Sequence, residues 1–524
     1  MFKLTNEDFA RIFPFEKPRK HQREIIEGII GAYEAGIKHV VLSAPTGIGK
    51  SIIGISVANY FDSAYILTSQ KMLQAQYVKD FQIPELKGKS NYPCSVFPEF
   101  NCDDAPCEKT DTKNCPCVYK KFRDDLYINS TVGILNYAIF LRMGFTPLQQ
   151  PRKLLVMDEA HGISAMLVDV CSSVISEKEM LKHGINFNVI KNFPQPNDQD
   201  EAKLKWLFDE VQPAFEVELD REAEILKSMD HKERGWTEQS KKVKYFFNAC
   251  DKLNKLKAEY LEGRPSVITQ DEKERKISFK LLYSGPVARK YLTRFGERTL
   301  SMSATILSKE TYCQDMNFDP KETIFIQAPA IFPKENRPIY IKSVGSLSYK
   351  NKWQTLPKLV RAVEEILEKH VGQRGIIHTV SYEFAQYIIQ NISSKYKKRL
   401  VMPKGVTRQQ DLEKVLSSSS KDVVLISPSL TEGIDLKDDL SRFTIVCKLP
   451  FGCLGDRWIK RRMEISQQWY NENTIISLMQ MTGRSVRTET DKADAYILDS
   501  DWLWFYKYNQ RLMPQWWKES IKHQ

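Results

Sequence analysis

The sequence predicts an α/β protein with two parallel-sheet domains. Short β-branched runs alternate with helix-prone runs from about Gly36 to Leu67, and the alternation resumes from about Pro338. Parallel strands need a crossover connection, usually a helix, so two separate stretches of alternation indicate two parallel sheets. Between them, residues 166–290 are charged and helix-prone, which predicts a plain helical spacer.

The first stretch contains three elements in close succession. KHVVLSA predicts a strand, a glycine turn follows, and SIIGISVANYF has helical spacing before the strand AYILT. Further along, KLLVMDEA at Lys153–Ala160 predicts a buried strand that ends in acidic residues.

The second stretch repeats the pattern. WQTLPKLVRAVEEILEKH and QQDLEKVL predict helices, and GIIHTV, KDVVLIS and FTIVCKLP predict strands. In the spacer, CDKLNKLKAEYLEG places Leu253, Leu256 and Tyr260 on one helix face before a stop at Gly263. SSSS at Ser417–Ser420 predicts a flexible loop.

Size and charge limit the possible classes of protein. The 524 residues suffice for two or more domains with their own cores. MFKLTNEDFA lacks a signal-peptide pattern, and no apolar run reaches the roughly 18 residues that span a bilayer. We therefore expect no membrane association and a cytoplasmic location, in a bacterial, archaeal or viral system, or a nuclear one in a eukaryote.

The net charge of +11 favours nucleic acid as partner, although a merely soluble basic protein explains it equally well.

APTGIGKS has the composition of a phosphate-binding loop between a strand and a helix. Its glycines would let backbone N–H groups curl around phosphates at the positive end of the helix dipole. Lys50 would reach the β- and γ-phosphates of ATP, and Ser51 would bind Mg²⁺. The strict pattern has glycine where Ala44 stands, so a structural glycine loop is the alternative. The predicted nucleotide-binding residues are Ala44, Pro45, Thr46, Gly47, Ile48, Gly49, Lys50 and Ser51.

DEAH, at Asp158–His161, ends a predicted strand, where the second half of a nucleotide site belongs. Asp158 would bind Mg²⁺, and Glu159 would orient and deprotonate the attacking water. A surface acidic pair is the alternative. The distance along the chain between DEAH and the phosphate loop favours a nucleotide-hydrolysing site over a surface acidic pair.

The second predicted domain offers residues for the opposite side of a cleft. QMTGRSVR predicts a single helix carrying Gln480, Arg484 and Arg487, whose cations could reach the γ-phosphate. A solvated basic helix face is the alternative. SLTEGIDL predicts a tight polar turn after a strand, and SMSAT, at Ser301–Thr305, is a third small polar loop. ATP between two lobes makes a hydrolysis-driven hinge, so the pattern predicts a motor. The predicted contacts in the polar turn are Glu432, Gly433 and Asp435.

Half of the ten cysteines lie within 24 residues. In a protein without a secretion signal, clustered cysteines are more often metal ligands than disulfides. Spacing alone leaves open whether four of them hold a 4Fe–4S cluster or a zinc ion. The five candidates are Cys94, Cys102, Cys107, Cys115 and Cys117.

The ordered set APTGIGKS, LTSQKMLQAQ, DEAH, SMSAT, SLTEGIDL and QMTGRSVR resembles that of the superfamily-2 helicases. KGKSNYPC narrows the resemblance to the XPD/DinG group, in which such a phrase leads into an iron–sulfur cluster. The resemblance covers nearly the whole chain and implies two RecA-like motor domains with two insertions in the first. The implied units are motor domain 1 in three parts (1–84, 126–165 and 291–335), a cluster domain (85–125), a helical arch (166–290) and motor domain 2 (336–524).

The chain departs from the family pattern in places. His378 stands where an aromatic residue is common, and a packed histidine is the expected explanation. We expect no exonuclease-like domain before the motor, because the chain opens almost at once into KPRKHQREII. Gln22 weakly resembles the early glutamine of the family.

The family context also favours iron–sulfur over zinc and ranks the cysteines. In the family, an aromatic residue and an arginine follow the last cysteine ligand. Tyr119 and Arg123 match that pattern when counted from Cys117, so Cys115 is expected to be a neighbouring free thiol. The implied cluster ligands are Cys94, Cys102, Cys107 and Cys117.

The resemblance implies an ATP- and Mg²⁺-dependent 5′→3′ DNA helicase that acts as a monomer on single-stranded, forked or tailed DNA. An ATP-switched binding or remodelling factor, or an RNA-directed translocase, is the alternative. The C-terminal DWLWFYKYNQRLMPQWWKES suits base stacking, but packing of this helix through Trp504 and Tyr508 is the favoured interpretation.

Overall fold

The computed structural model describes residues 2–106, 116–143, 147–403, 415–416, 419–420, 422–428, 440–483, 486 and 491–523. In these residues the strands are β1 (His39–Ser43), β2 (Ala64–Thr68), β3 (Glu85–Leu86), β4 (Val132–Asn136), β5 (Arg152–Asp158), β6 (Ser173–Ser176), β7 (Ser266–Asp271), β8 (Lys276–Leu281), β9 (Gly296–Ser303), β10 (Thr323–Gln327), β11 (Ile339–Gly345), β12 (Gly375–His378), β13 (Leu400–Val401), β14 (Val424–Ser427), β15 (Phe443–Val446), β16 (Asp494–Asp499) and β17 (Ile521–His523).

The α-helices of the same residues are α1 (Asn6–Ile12), α2 (Gln22–Glu34), α3 (Lys50–Phe61), α4 (Lys71–Phe81), α5 (Val118–Asp124), α6 (Tyr137–Met143), α7 (Ile163–Val170), α8 (Glu177–Lys182), α9 (Asp200–Trp206), α10 (Gln212–Ser228), α11 (Trp236–Leu261), α12 (Gly285–Tyr291), α13 (Lys309–Met316), α14 (Lys352–Lys369), α15 (Tyr382–Asn391), α16 (Ser394–Lys397), α17 (Arg457–Ile465), α18 (Gln467–Thr482), α19 (Asp501–Asn509) and α20 (Gln515–Lys518).

Two seven-stranded parallel sheets organise the chain. The first has the strand order β10-β1-β9-β5-β2-β4-β3, and the second has the order β13-β14-β12-β15-β16-β11-β17. Every strand pair in both sheets is parallel. The prediction of two parallel-sheet, RecA-like α/β domains is therefore confirmed.

The predicted helices form where their apolar residues require burial. Helix α3 is buried along most of its length because it lies between the first sheet and α2. Helix α14 buries one face against the second sheet, with Leu359 and Val363 fully covered. The predicted helix QQDLEKVL and the loop SSSS fall largely outside the described residues.

The spacer at 166–290 is only partly helical. Besides the long helix α11, which ends before Gly263 as expected, it contains the antiparallel sheet β6-β8-β7. The prediction of a plain helical spacer is therefore wrong. In β8, Ile277, Phe279 and Leu281 are buried and the residues between them are partly exposed, which is the period-two pattern of a half-buried strand.

The two faces of the first sheet bury different cores. One face packs against α2 and α3. The other face belongs to a core that continues through Tyr92, Cys102 and Tyr119 into Phe246 of α11. The cysteine-rich segment and the spacer are therefore packed onto the first sheet. No helix in the described part of the chain is long and apolar enough to cross a membrane.

Candidate functional site

Three polar segments meet at the carboxyl edge of the first sheet. Strand β9 lies between β1 and β5, with Ser301 opposite both Val41 and Met157. The Ala44 N–H donates to the Ser303 carbonyl over 2.9 Å. The phosphate loop, SMSAT and DEAH therefore adjoin, and the first three residues of SMSAT belong to β9 rather than to a loop.

The phosphate loop takes a shape that requires its glycines. Gly47 and Gly49 have φ angles of +89° and +80°, the left-handed region that favours glycine. Gly49 is the N-cap of α3, so the first N–H groups of that helix are left for a ligand. This is the arrangement in which a helix N-terminus binds phosphate.

Asp158 lies fully buried at the end of β5. Burial, followed by the charge of Glu159, raises the pKa of Asp158 to about 6, while Lys50 opposes the shift. Lys50 Nζ lies 3.4 Å from the Ala44 carbonyl oxygen, at the mouth of the loop. A bound dication would stabilise the Asp158 carboxylate and reverse the shift.

Tyr77, which the sequence did not single out, joins the two predicted magnesium ligands. Its hydroxyl donates to Asp158 Oδ2 over 2.8 Å and shares a hydrogen bond with Ser51. The Tyr137 hydroxyl donates to the Asp158 carbonyl over 2.8 Å. The hard oxygen donors Ser51 and Asp158 fit Mg²⁺, and Tyr77 orients both of them.

Glu159 has an unusual backbone. Its φ of +53° lies in the left-handed region, which non-glycine residues adopt rarely and mainly at functional sites. Its N–H donates to Asp158 Oδ1 over 2.9 Å. Its carboxylate lies 3.4 Å from His161 Nδ1. The bent backbone thus separates the two carboxylates, with Asp158 buried and Glu159 partly exposed.

A chain of hydrogen bonds crosses from the first parallel-sheet domain to the second. His161 Nδ1 lies 2.9 Å from Ser303 Oγ, and His161 Nε2 lies 2.9 Å from the Gln480 amide nitrogen. The His161 ring is thereby held between Ser303 and Gln480. Gln480 is therefore linked to the DEAH segment and to SMSAT at once.

Helix α18 holds Gln480 but ends at Thr482, with Gly483 as C-cap. The prediction of one helix for Gln480, Arg484 and Arg487 can be followed only at Gln480, because both arginines lie outside the described residues. A glycine after the last turn is a common helix end. Some predicted site residues lie outside the described residues, namely Arg484, Arg487, Glu432, Gly433, Asp435, Cys107 and Cys115.

A second contact between the domains is built on α17. Arg462 forms an ion pair of 2.9 Å with Asp315 of the first domain and donates to the Leu282 carbonyl. The Trp458 indole N–H donates to the Leu281 carbonyl over 2.7 Å, and Arg457 donates to the Ile268 carbonyl. The second domain therefore rests on the spacer sheet as well as on the nucleotide edge.

Three of the predicted cluster ligands are described. Cys102 Sγ lies 3.8 Å from Cys117 Sγ, and Cys94 Sγ accepts the Phe97 N–H over 3.4 Å. Burial, followed by the neighbouring Cys117, raises the pKa of the Cys102 thiol to about 11. In the described part of the chain, no three His, Cys, Asp or Glu residues form a group that could hold a metal ion. The paired sulfurs of the buried Cys102 and the half-buried Cys117 fit a thiophilic metal in donor chemistry but do not complete a site.

Two further predictions, for His378 and for the C-terminal helix α19, can be compared with the structure. His378 is buried at the end of β12, which agrees with a packed histidine. Helix α19 packs onto the second sheet as expected, but through Trp502 and Phe505. Trp504 and Tyr508 are exposed, so the predicted packing face is wrong.

Family models match two parts of the chain. A helicase C-terminal domain model matches residues 363–520, and a model of the type III restriction enzyme res subunit matches residues 15–193.

Curated relatives match in part. The ATP-dependent DNA helicase YoaA of Haemophilus influenzae is 22% identical over 217 residues, which is 39% of this chain and 32% of YoaA. The ATP-dependent DNA helicase CHL1 of Saccharomyces cerevisiae is 23% identical over 242 residues, which is 38% of this chain and 27% of CHL1. The matched region thus spans about a third or less of these relatives.

Solved structures match over nearly the whole chain. An XPD helicase structure has a TM-score of 0.67 and covers 97% of this chain and 100% of its own, at 14% identity. An apo XPD structure has a TM-score of 0.62 with the same coverage and identity. At such identities the likeness shows the fold.

Two parallel-sheet domains with a phosphate loop, DEAH and SMSAT at one edge resemble the arrangement of the superfamily-2 helicases. The domain matches, the two helicase relatives and the XPD fold agree on a narrower group. Together these findings support an XPD/DinG-like superfamily-2 helicase.

Proposed function

We propose that this protein hydrolyses ATP with Mg²⁺ in the cleft between its two motor domains and uses the energy to move 5′→3′ along single-stranded DNA, unwinding duplexes. The hydrogen bond between Gln480 and His161 supports this most directly. It joins the second domain to the DEAH segment beside Asp158. Changes at the phosphates can therefore be transmitted to the relative position of the domains.

The residues of the nucleotide site are proposed to have separate roles. The N–H groups of the loop and Lys50 bind the phosphates, and Ser51 and Asp158 hold Mg²⁺, which neutralises charge on the phosphates. Glu159 orients the attacking water and accepts its proton. The partial exposure of its carboxylate suits that task, because water can reach it.

The second domain contributes positive charge and a polar turn. Arg484 and Arg487 are proposed to stabilise the charge that develops as the γ-phosphate leaves. Glu432, Gly433 and Asp435 are proposed to complete the nucleotide contacts. These assignments rest on the sequence motifs and on the position of Gln480 at the nucleotide edge.

The insertions are proposed to guide DNA. Cys94, Cys102, Cys107 and Cys117 would hold a 4Fe–4S cluster in a domain at 85–125, which braces the region that parts the strands. The Cys102 and Cys117 sulfurs lie 3.8 Å apart, which supports a common metal site in this segment without favouring the cluster over a single metal ion. A tetrahedral zinc ion, whose sulfurs lie about 3.8 Å apart for bonds of about 2.3 Å, is the alternative for the same residues.

Residues 166–290 are proposed as the arch domain over the DNA. The ion pair of Lys244 with Asp104, 2.6 Å long, supports this because it links α11 to the cysteine-rich segment. The ring of Phe100 also packs edge-on against Trp236, at 5.3 Å between ring centres. The two insertions would thereby form one continuous surface along the DNA.

A strand-displacement assay tests the activity and its direction. DNA duplexes with a single-stranded 5′ tail, a 3′ tail or no tail, and an RNA duplex with a 5′ tail, are incubated with ATP and Mg²⁺. We expect displacement of the 5′-tailed DNA alone. Glu159→Gln is the matched control, because it should keep nucleotide and DNA binding but abolish displacement.

The other outcomes have distinct meanings. Displacement of the 3′-tailed DNA alone would contradict the polarity. ATP-dependent DNA binding without displacement would favour the ATP-switched remodelling factor, and displacement of RNA would favour the RNA-directed translocase.

A further inference from the structure

The second domain touches the first domain and the spacer at both ends of α18. At the carboxyl end, the Gln480 amide nitrogen lies 2.9 Å from His161 Nε2, beside the nucleotide edge. At the amino end, α18 follows directly on α17, whose Trp458 donates to the Leu281 carbonyl of the spacer over 2.7 Å. The second domain cannot move relative to the first without changing at least one of these two contacts.

The contact at α17 contains a buried ion pair. Only 7% of the Arg462 side chain and 13% of the Asp315 side chain are exposed. Trp469 of the second domain and Tyr283 of the spacer cover the Arg462 guanidinium, with ring centres at 4.5 and 5.5 Å. A small displacement here would leave two charges unpaired where little water can reach them, which is strongly unfavourable.

The same contact also has an apolar part and a buried carboxylate. Trp458 packs on the core that the first sheet shares with the spacer, and Lys280 Nζ lies 3.8 Å from the centre of its ring. In the first half of α18, Glu472 is 3% exposed and is hydrogen-bonded with Ser308 and Thr311, at the start of α13 in the first domain. Burial and charge together therefore hold the amino end of α18 in place.

The contact at Gln480 is weaker. It is a partly buried hydrogen bond of an uncharged amide. Such a bond contributes little net free energy, because water offers the amide an equivalent partner when the bond breaks. The nucleotide end of α18 is therefore the easier end to release.

We infer that α17 is a pivot, which stays seated on the spacer while the second domain turns about it and the nucleotide edge opens and closes. The inference rests on the proposed ATP-driven motion and adds the point about which the domains turn. The spacer suits this role because its strands share a core with the first sheet and so form a firm base. Arg462 and Trp458 act as positioning residues, at the opposite end of α18 from Gln480.

The length of α18 sets the size of the expected motion. A helix rises about 1.5 Å per residue, so Gln480 lies about 16 Å from Trp469 along the axis. A turn of about 15° at α17 would move Gln480 by about 4 Å and would hardly move the contacts of α17 themselves. A pivot therefore predicts one distance that changes with the bound nucleotide and one that does not.

Distances between spin labels in the full-length protein test the inference. The labels are genetically encoded amino acids, which leaves the cysteines unmodified. One pair joins Glu464 of α17 to Lys273 of the spacer, and the other joins Lys79 of α4 to Lys358 of α14; all four side chains are exposed. Between nucleotide-free protein and the complex with a non-hydrolysable ATP analogue and Mg²⁺, we expect a change of about 4 Å in the second distance and less than about 1 Å in the first.

The other outcomes of this measurement have separate meanings. A nucleotide-dependent change in the distance across α17 would overturn the inference, whether or not the second distance also changes. Two constant distances would overturn the proposed domain motion, and the inference with it.

Arg462→Gln tests the contribution of the buried ion pair. It should broaden the distribution of the Glu464–Lys273 distance and lower the number of base pairs unwound per ATP about tenfold, with ATP turnover within about twofold of the wild type. Lys460→Gln is the matched control, because it removes an exposed cation from the same helix and should change neither quantity. A narrow distribution in Arg462→Gln would contradict the pivot. So would equal losses of turnover and unwinding, because the ion pair would then act through general stability.

Discussion

The nucleotide edge and the cysteine-rich segment are the two regions proposed to bind ligands, and they are organised to different degrees. At the nucleotide edge, Asp158 already accepts hydrogen bonds from Tyr77 and from the Glu159 N–H. In the cysteine-rich segment, Cys102 and Cys117 touch each other, and their sulfurs have few other polar partners among the described residues.

The difference follows from what supports each region. The nucleotide edge is carried by β1, β5 and β9, which are central strands of a seven-stranded sheet. The cysteines lie on loops and at the start of the short helix α5. A site on sheet strands is arranged before its ligand arrives, whereas a site on loops gains order from the bound group. Changes in one region should therefore leave the other largely intact.

Lys50→Ala should have the largest effect. Loss of the ammonium beside the phosphates is expected to slow ATP turnover about 10²- to 10³-fold, measured as phosphate release. The iron content and the affinity for single-stranded DNA should stay the same, because their contacts lie elsewhere. Near-normal turnover would contradict the assignment of the loop, and loss of iron would contradict the independence of the two regions.

Cys117→Ser should remove the metal from the cysteine-rich segment. We expect the iron content of protein purified without oxygen to fall on the order of tenfold or more, because one of four ligands is lost. Cys115→Ser is the matched control and should keep its iron, and ATP affinity should be unchanged in both variants. Iron lost from Cys115→Ser and kept in Cys117→Ser would reverse the ligand assignment, and zinc without iron would refute the cluster.

Tyr77→Phe should weaken Mg²⁺ binding about tenfold, because the hydroxyl that orients Ser51 and Asp158 is removed. The measurement is the Mg²⁺ concentration at which nucleotide binding and turnover are half-maximal. Tyr65→Phe is the matched control, because that buried hydroxyl donates to the Gln150 carbonyl, away from the site. Equal effects of both variants would mean that Tyr77 acts through general stability.

The smallest effect concerns the sheet beneath the nucleotide edge. Burial lowers the pKa of His39, at the start of β1, to about 4. The unfolded chain takes up a proton on this histidine near pH 6.5, whereas the folded protein does so only near pH 4. Protonation therefore favours the unfolded chain between these two values, and the folded protein loses stability as the pH falls from 6.5 towards 4. Between pH 7 and 5 the free energy of unfolding should fall by about 1–2 kcal/mol through His39. His39→Gln, compared with wild type by urea denaturation, should lack this part of the fall. An equal fall in both proteins would show that His39 does not contribute.

The elements whose signals are local could be predicted from the amino-acid sequence alone. The phosphate loop and DEAH were recognisable because their chemistry needs particular residues at short spacing, directly after a strand. Strands β1, β2, β5 and β12 and the helices α3, α11 and α14 form close to where their periodicity predicts them. The two parallel sheets followed from the order of these elements, because short parallel connections allow few other arrangements.

Features that join residues distant in the chain could not be predicted from the sequence, because they depend on the tertiary fold. The spacer sheet pairs Ser173–Ser176 with Lys276–Leu281, about a hundred residues further on, and the helical pattern between them concealed it. Alternation in KISFKL was the available signal. In the sequence, Tyr77 is indistinguishable from the other apolar residues of α4. Its role depends on the hydrogen bond from its hydroxyl to Asp158, which the fold brings close at the end of β5.

The same limit applies to Arg462, Gln480 and the face of α19. Arg462 reaches Asp315 because α17 lies on the spacer sheet. Gln480 meets His161 because α18 of the second domain lies against the DEAH segment of the first. Local sequence specifies which backbone a segment prefers, through sterics and hydrogen bonding. Which side chains meet is decided by the packing of whole sheets, a property of the entire chain.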